Sequence, residues 1–122
     1  MNKLELTFPQ QLTSFDPGAE IAITAAWDLD APPDRIEARL VWHTSGRGDR
    51  DLKVVKTVTI ESPSEKDQQL VTFSLPWGPY SFSGKLISLI WGIEIVSFPD
   101  EDSTRQEITV APQGREVVLK GT

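Results

Sequence analysis

The chain has no cysteine, one histidine, one tyrosine and one asparagine. Without cysteine there are no disulfides and no thiolate metal sites, which fits a reducing compartment. The asparagine, Asn2, is followed by Lys3 and Leu4, so no N-glycosylation sequon exists. Long hydrophobic runs are also missing. The opening "MNKLELTFPQ" leads into no apolar stretch of signal-peptide length. The uncharged core of the most apolar segment, Leu86 to Ile93, falls far short of the ~20 residues that cross a bilayer. Basic residues are scarce: twelve Lys and Arg against eighteen Asp and Glu give a net charge of −6. They are spread singly, whereas phosphate binding needs them clustered, so neither nucleic acid nor an anionic membrane is an expected partner. No low-complexity window or internal repeat occurs. These absences lead us to expect a cytoplasmic protein without membrane insertion.

What is present is alternation. Leu4, Leu6 and Phe8 alternate with Glu5 and Thr7. Ile21, Ile23, Ala25 and Trp27 share one face, and Ile36, Ala38, Leu40 and Trp42 share another. Val71, Phe73 and Leu75 repeat the pattern until Pro76. A period of two is that of a strand with one dry face. Leu52, Val54, Val58 and Ile60 share a parity that Lys56 interrupts, which marks a bulge or a sheet edge where the amine reaches water. "GPYSFSGKLISLIWGIEIVSF", residues 78–98, begins as a turn and continues as a strand. Ile87, Leu89, Trp91, Ile93 and Ile95 form a heavy inner face there, and a helix would have to accept Ser83, Gly84 and Gly92 without caps. Ile108 and Val110 mark a further strand, and 116–119 is an eighth strand or part of a tail over 116–122. The expected fold is all-β: one antiparallel β-sandwich of seven or eight strands, immunoglobulin-like in architecture, over 1–122. The chain is long enough to bury roughly two-thirds of its unfolded surface without staples.

Two stretches carry a family resemblance. "FDPGAEIAITAAW", residues 15–27, and "LPWGPYSFSGKLISLIWGIEI", residues 75–95, resemble the turn-to-strand motifs of the arrestin-like fold, and "RQEITV", 105–110, resembles its closing strand. The family includes arrestins, a retromer subunit and bacterial sporulation-control proteins. The resemblance implies a non-catalytic adaptor or scaffold that binds a protein partner, not an enzyme, and it implies no cofactor. Family members usually carry two sandwiches, and 122 residues allow one. The uncovered surface of a lone sandwich leads to the expectation of a possible homodimer.

Candidate sites follow from chain reversal. If every connection reverses direction, the loops at 28–34, 61–67 and 99–105 share one end. They hold many carboxylates, among them Asp28, Asp30, Asp100 and Asp102. Calcium takes about 6–8 oxygen ligands, so these four are the candidate metal ligands; a basic protein partner is a second reading of the same end, and the plainer one is a solvated acidic rim. The opposite end holds Phe15, the 47–51 loop, Trp77, Tyr80 and Phe82. Trp77, Tyr80 and Phe82 are the candidate partner-binding residues, by stacking on a glycan or anchoring a peptide; the plainer reading is that they cap the core. An exposed sheet edge that accepts a partner strand is the other candidate contact. His43 with Ser45 and Asp49 builds no triad along one hairpin. Arg47-Gly48-Asp49 matches a cell-adhesion tripeptide, but three residues recur often by chance and a polar hairpin tip explains them.

Overall fold

The computed structural model describes residues 2–46, 51–84 and 87–112 and the backbone of 117–118. The Arg47-Gly48-Asp49 tripeptide lies outside the described residues, as do Leu86, Glu116 and Leu119. The strands are β1 (Lys3–Thr7), β2 (Ser14–Phe15), β3 (Glu20–Asp28), β4 (Arg35–Gly46), β5 (Leu52–Glu61), β6 (Lys66–Ser74), β7 (Phe82–Ser83), β8 (Ile87–Phe98), β9 (Ser103–Val110) and β10 (Val117–Val118). One 3₁₀ turn spans Pro9–Gln11, and no α-helix occurs among the described residues. The fold is the expected all-β sandwich. One sheet runs β1–β3–β6 and the other β10–β7–β8–β4–β5, with β9 beside β8 and β2 beside β9. The long ladders are antiparallel. The two-residue pairs β2–β9 and β7–β10 are parallel. β2 arrives that way because the turn after β1 carries the chain across from one sheet to the other.

The alternation chooses the core. Ile21, Ile23, Ala25 and Trp27 on β3 and Val71 and Phe73 on β6 face Ile36, Ala38 and Leu40 on β4 and Leu89, Trp91, Ile93 and Ile95 on β8. Both fully inward tryptophans place their indole N–H on a carbonyl: Trp27 donates to Ser64 at 2.8 Å and Trp91 to Pro79 at 2.9 Å. A buried donor left unpaired would oppose folding, so these loop carbonyls are part of the core's design. Trp42 packs against the same cluster and is partly buried. β8 is central, paired with β4 along its whole length and with β7 and β9 on its other side. Ile87, at its first residue, is exposed.

The β5 parity is corrected at its first half. Leu40 pairs with Lys56 but Val41 pairs with Val54, so Val55 is an extra residue, a bulge. Beyond it the faces exchange. Val55 packs on the core, while Leu52 and Val54 turn outward and are 58% and 45% exposed. Both readings of Lys56 hold together: it adjoins a bulge, and β5 is the last strand of its sheet.

Candidate functional site

At the aromatic end the three candidate residues behave differently. Phe82 pairs with Leu89 across β7 and β8 and packs against the core. Phe15 pairs with Val110, its ring 6.3 Å from that of Phe8. Tyr80 is exposed, and Trp77 is 78% exposed. Trp77 nevertheless has a fixed seat. Asp16-Pro17-Gly18-Ala19 is a turn closed by Ala19 N–H on the Asp16 carbonyl at 3.2 Å, with Gly18 at φ +78°. Proline and then a positive-φ glycine suit the two central positions of a type II turn. Gly18 N–H donates to the Pro76 carbonyl at 3.3 Å, which holds the turn against the residue before Trp77. A Cβ on Gly18 would lie 2.7 Å from Trp77 Cζ2, 2.8 Å from Cε2 and 2.9 Å from Cη2. Near-equal distances to three consecutive ring atoms place that contact over the ring's face, not at its edge. Gly18 thus does two things at once: it supplies a backbone conformation unfavourable to other residues, and it leaves room for the indole.

The loop under these aromatics is pinned from below. Ser81 is buried; its N–H donates to the Val110 carbonyl at 2.7 Å and its Oγ accepts from the Val110 N–H at 2.9 Å. Ser81 was not among the candidates, since a serine in a Gly- and Pro-rich turn gives no sequence signal of burial.

The acidic loops do meet. Leu29 N–H donates to the Glu65 carbonyl at 2.7 Å, Asp34 N–H to Phe98 at 2.8 Å and Ser62 N–H to Asp34 at 3.2 Å. Asp30, Asp100 and Asp102 line one open cavity of about 250 Å³. Asp28 sits apart, on the outer face of the small sheet, 3.9 Å from Lys66 Nζ. Asp102 accepts from the Asn2 side-chain amide at 2.7 Å. Among the described residues no group of three or more His, Asp or Glu side chains is arranged to hold a metal ion.

The outer face of the large sheet carries an ion network. Glu37 accepts from Arg35 Nε at 2.8 Å and from Arg39 Nη2 at 2.8 Å, and Glu94 accepts from Arg105 at 2.9 Å. Arg35 also lies 3.9 Å above the centre of the Phe98 ring. The hydrogen bonds from Arg35 and then Arg39 hold the Glu37 carboxyl below its ordinary value of 4.5. A carboxyl whose folded pKa lies below its unfolded one adds stability that is fully present above the unfolded value and is lost as pH falls through the folded one. Denaturant midpoints measured down from neutral pH should therefore drop below about pH 4.5, and Glu37→Gln should flatten that acid limb. An unchanged limb in the variant would mean other carboxylates carry it.

His43 sits on the same outer face, in register with Ile90 on β8 and Leu52 on β5. Its Nδ1 is buried and has no hydrogen-bond partner, so no acid orients the ring from that side as a catalytic base requires. No helix among the described residues is long and apolar enough to cross a membrane.

The open edge is the last feature. β5 pairs with β4 and with no other described strand. It displays Leu52 and Val54 outward, and Lys53 and Lys56 alongside them are exposed.

No protein-family model matches the chain, and no curated protein matches it. Among solved structures, the sporulation control protein Spo0M from Bacillus subtilis matches with a TM-score of 0.63 at 18% identity, over 90% of this chain and 49% of its own. A β-glucosidase from Listeria innocua in complex with gluconolactone matches at a TM-score of 0.48 and 15% identity, over 97% of this chain and 17% of its own. The chain has the arrestin-like sandwich fold of Spo0M and spans about half of that protein's length.

Proposed function

We propose that this arrestin-like sandwich is a non-catalytic interaction module that receives an extended segment of a protein partner on the free edge of β5. The observation that carries the reading is that edge itself. Ten residues, Leu52–Glu61, have one neighbour strand and present a row of backbone groups on the other side. An unpaired edge is a template for an added strand. Leu52 and Val54 give an incoming strand apolar contacts, and Lys53 and Lys56 favour one with acidic residues between its apolar ones. The same lysines disfavour a second copy of this chain. Antiparallel self-pairing about the middle of β5 would set Lys56 beside its counterpart, and like charges directly opposite are destabilising. The bulge at Val55 bends the edge as well, a device that limits edge-to-edge association. The possible homodimer is therefore not proposed through β5.

The test is a partner captured from the source cell by a photo-crosslinker at Thr57, whose crosslinked segment is then made as a peptide. Added back, that peptide should slow hydrogen exchange of the β5 amides. Leu52→Glu with Val54→Glu should weaken it by about tenfold or more, since burying two such side chains is worth a few kcal/mol. Both positions are exposed, so the variant keeps its core. A peptide that protects other strands and leaves β5 unchanged would refute strand addition.

A further inference from the structure

The chain places an exposed tryptophan in a fixed position with nothing on its outer face. An aromatic that merely caps the core loses both faces to protein, as Trp91 does. An aromatic on a free loop samples many rotamers, and ordering it on binding opposes association. Trp77 does neither. One ring face rests on Gly18, the turn beneath is closed by two backbone hydrogen bonds, and the loop after it is anchored by Ser81 on Val110. The indole is thus pre-organised, with its other face open to solvent.

Charge decides what that face takes. Asp16 and Glu20 stand two residues to either side of Gly18, and both are exposed. The segments that hold Gly18 and Trp77, 15–24 and 71–84, contain no lysine or arginine. An indole face carries negative electrostatic potential from its ring quadrupole. The carboxylates of Asp16 and Glu20, on the turn that seats the ring, add to that potential. A proline would stack on the ring and gain nothing from the two carboxylates, a neutral sugar could donate hydroxyls to them but without charge attraction, and an acidic ligand would be repelled. The geometry points to Trp77, flanked by Asp16 and Glu20, as a docking site for a basic protein segment, with an arginine or lysine cation on the open indole face. Arginine fits best, because its planar guanidinium stacks while its edge still donates to a carboxylate. The site shares no residue with β5, so its failure would leave strand addition standing, and the reverse holds too.

The experiment uses the full chain with labelled indole nitrogens, which give four N–H signals, one per tryptophan. It is titrated with a synthetic peptide of alternating Arg and Gly, and with the same peptide carrying neutral citrulline in place of arginine. The Trp77 signal should move saturably with the arginine peptide, the Trp27 and Trp91 signals should not, and citrulline should abolish the effect. Trp77→Ala should weaken arginine-peptide affinity by about tenfold. Gly18→Ala keeps the ring but removes its seat, and should weaken it as well. Trp77 is exposed, so Trp77→Ala keeps its fold, and the three remaining indole signals verify that. Unchanged affinity in Trp77→Ala would overturn the proposal and place the peptide on the acidic loops at the other end. An equal response to citrulline would overturn the cationic preference, and a stationary Trp77 signal would overturn the site.

Discussion

Trp91→Ala should lower the free energy of unfolding by about 3–5 kcal/mol, among the largest effects of any single truncation in this domain. Trp91 is 0% exposed. It sits at the middle of β8, opposite Trp42 on β4 and Ile108 on β9, so its removal leaves a cavity between two ladders that cannot both close inward. The change also strips the Pro79 carbonyl of its indole donor, held at 2.9 Å. Guanidinium or urea melts measure the loss. Trp91→Phe separates its two parts: it refills most of the volume and removes only the indole donor to the Pro79 carbonyl, so it should cost clearly less than Trp91→Ala. If Trp91→Ala melts within 1 kcal/mol of the parent, below the ~2 kcal/mol floor for large core truncations, then Trp91 is not the centre of the core.

Ser81→Ala should cost about 1–3 kcal/mol although it removes a single oxygen. The Val110 N–H would lose its acceptor in a place closed to solvent, since Val110 is fully buried and Ser81 nearly so. The remaining bond, Ser81 N–H to the Val110 carbonyl at 2.7 Å, does not depend on the side chain. The variant should therefore fold, with the loop after Trp77 less firmly held. Hydrogen exchange at the Val110 amide reads this directly, and it should accelerate beyond the change in global stability. A parent-like melting curve together with unchanged exchange at Val110 would show that the hydroxyl is dispensable.

The strands themselves could be read from the sequence. Ile21, Ile23, Ala25 and Trp27 point inward because alternation is a property of the extended backbone, and any sheet that buries one of them buries the others. The same local rule gave Val71 and Phe73, and Leu89 through Ile95. It also placed the acidic loops together, since Asp30 and Asp100 meet wherever successive strands reverse. Lys56 announced an irregular edge. It could not tell that Val55 was the extra residue, because a bulge is defined by the partner strand and not by the bulged one.

The candidate sites were less legible. Trp77, Tyr80 and Phe82 look alike in one aromatic loop, yet Phe82 went to the core and Trp77 to the surface. Pro17-Gly18 read plainly as a turn, but nothing within ten residues of it says that a tryptophan at 77 would lie on that glycine. Asp28 belonged by position to the acidic loops and by side chain to the outer face of the small sheet, beside Lys66.

The sequence alone thus determined which faces of the strands are dry, the first half of β5 excepted, and which loops share an end, because each follows from the period of two and from chain reversal. The order of strands in the sheets, the bulge on β5, the parallel pairing of β2 with β9, the burial of Ser81 and the seat of Trp77 on Gly18 were decided by tertiary structure. Each is a contact between residues far apart in the chain. Each depends on how side chains and backbone groups from two elements fill one space, a quantity that no local pattern carries.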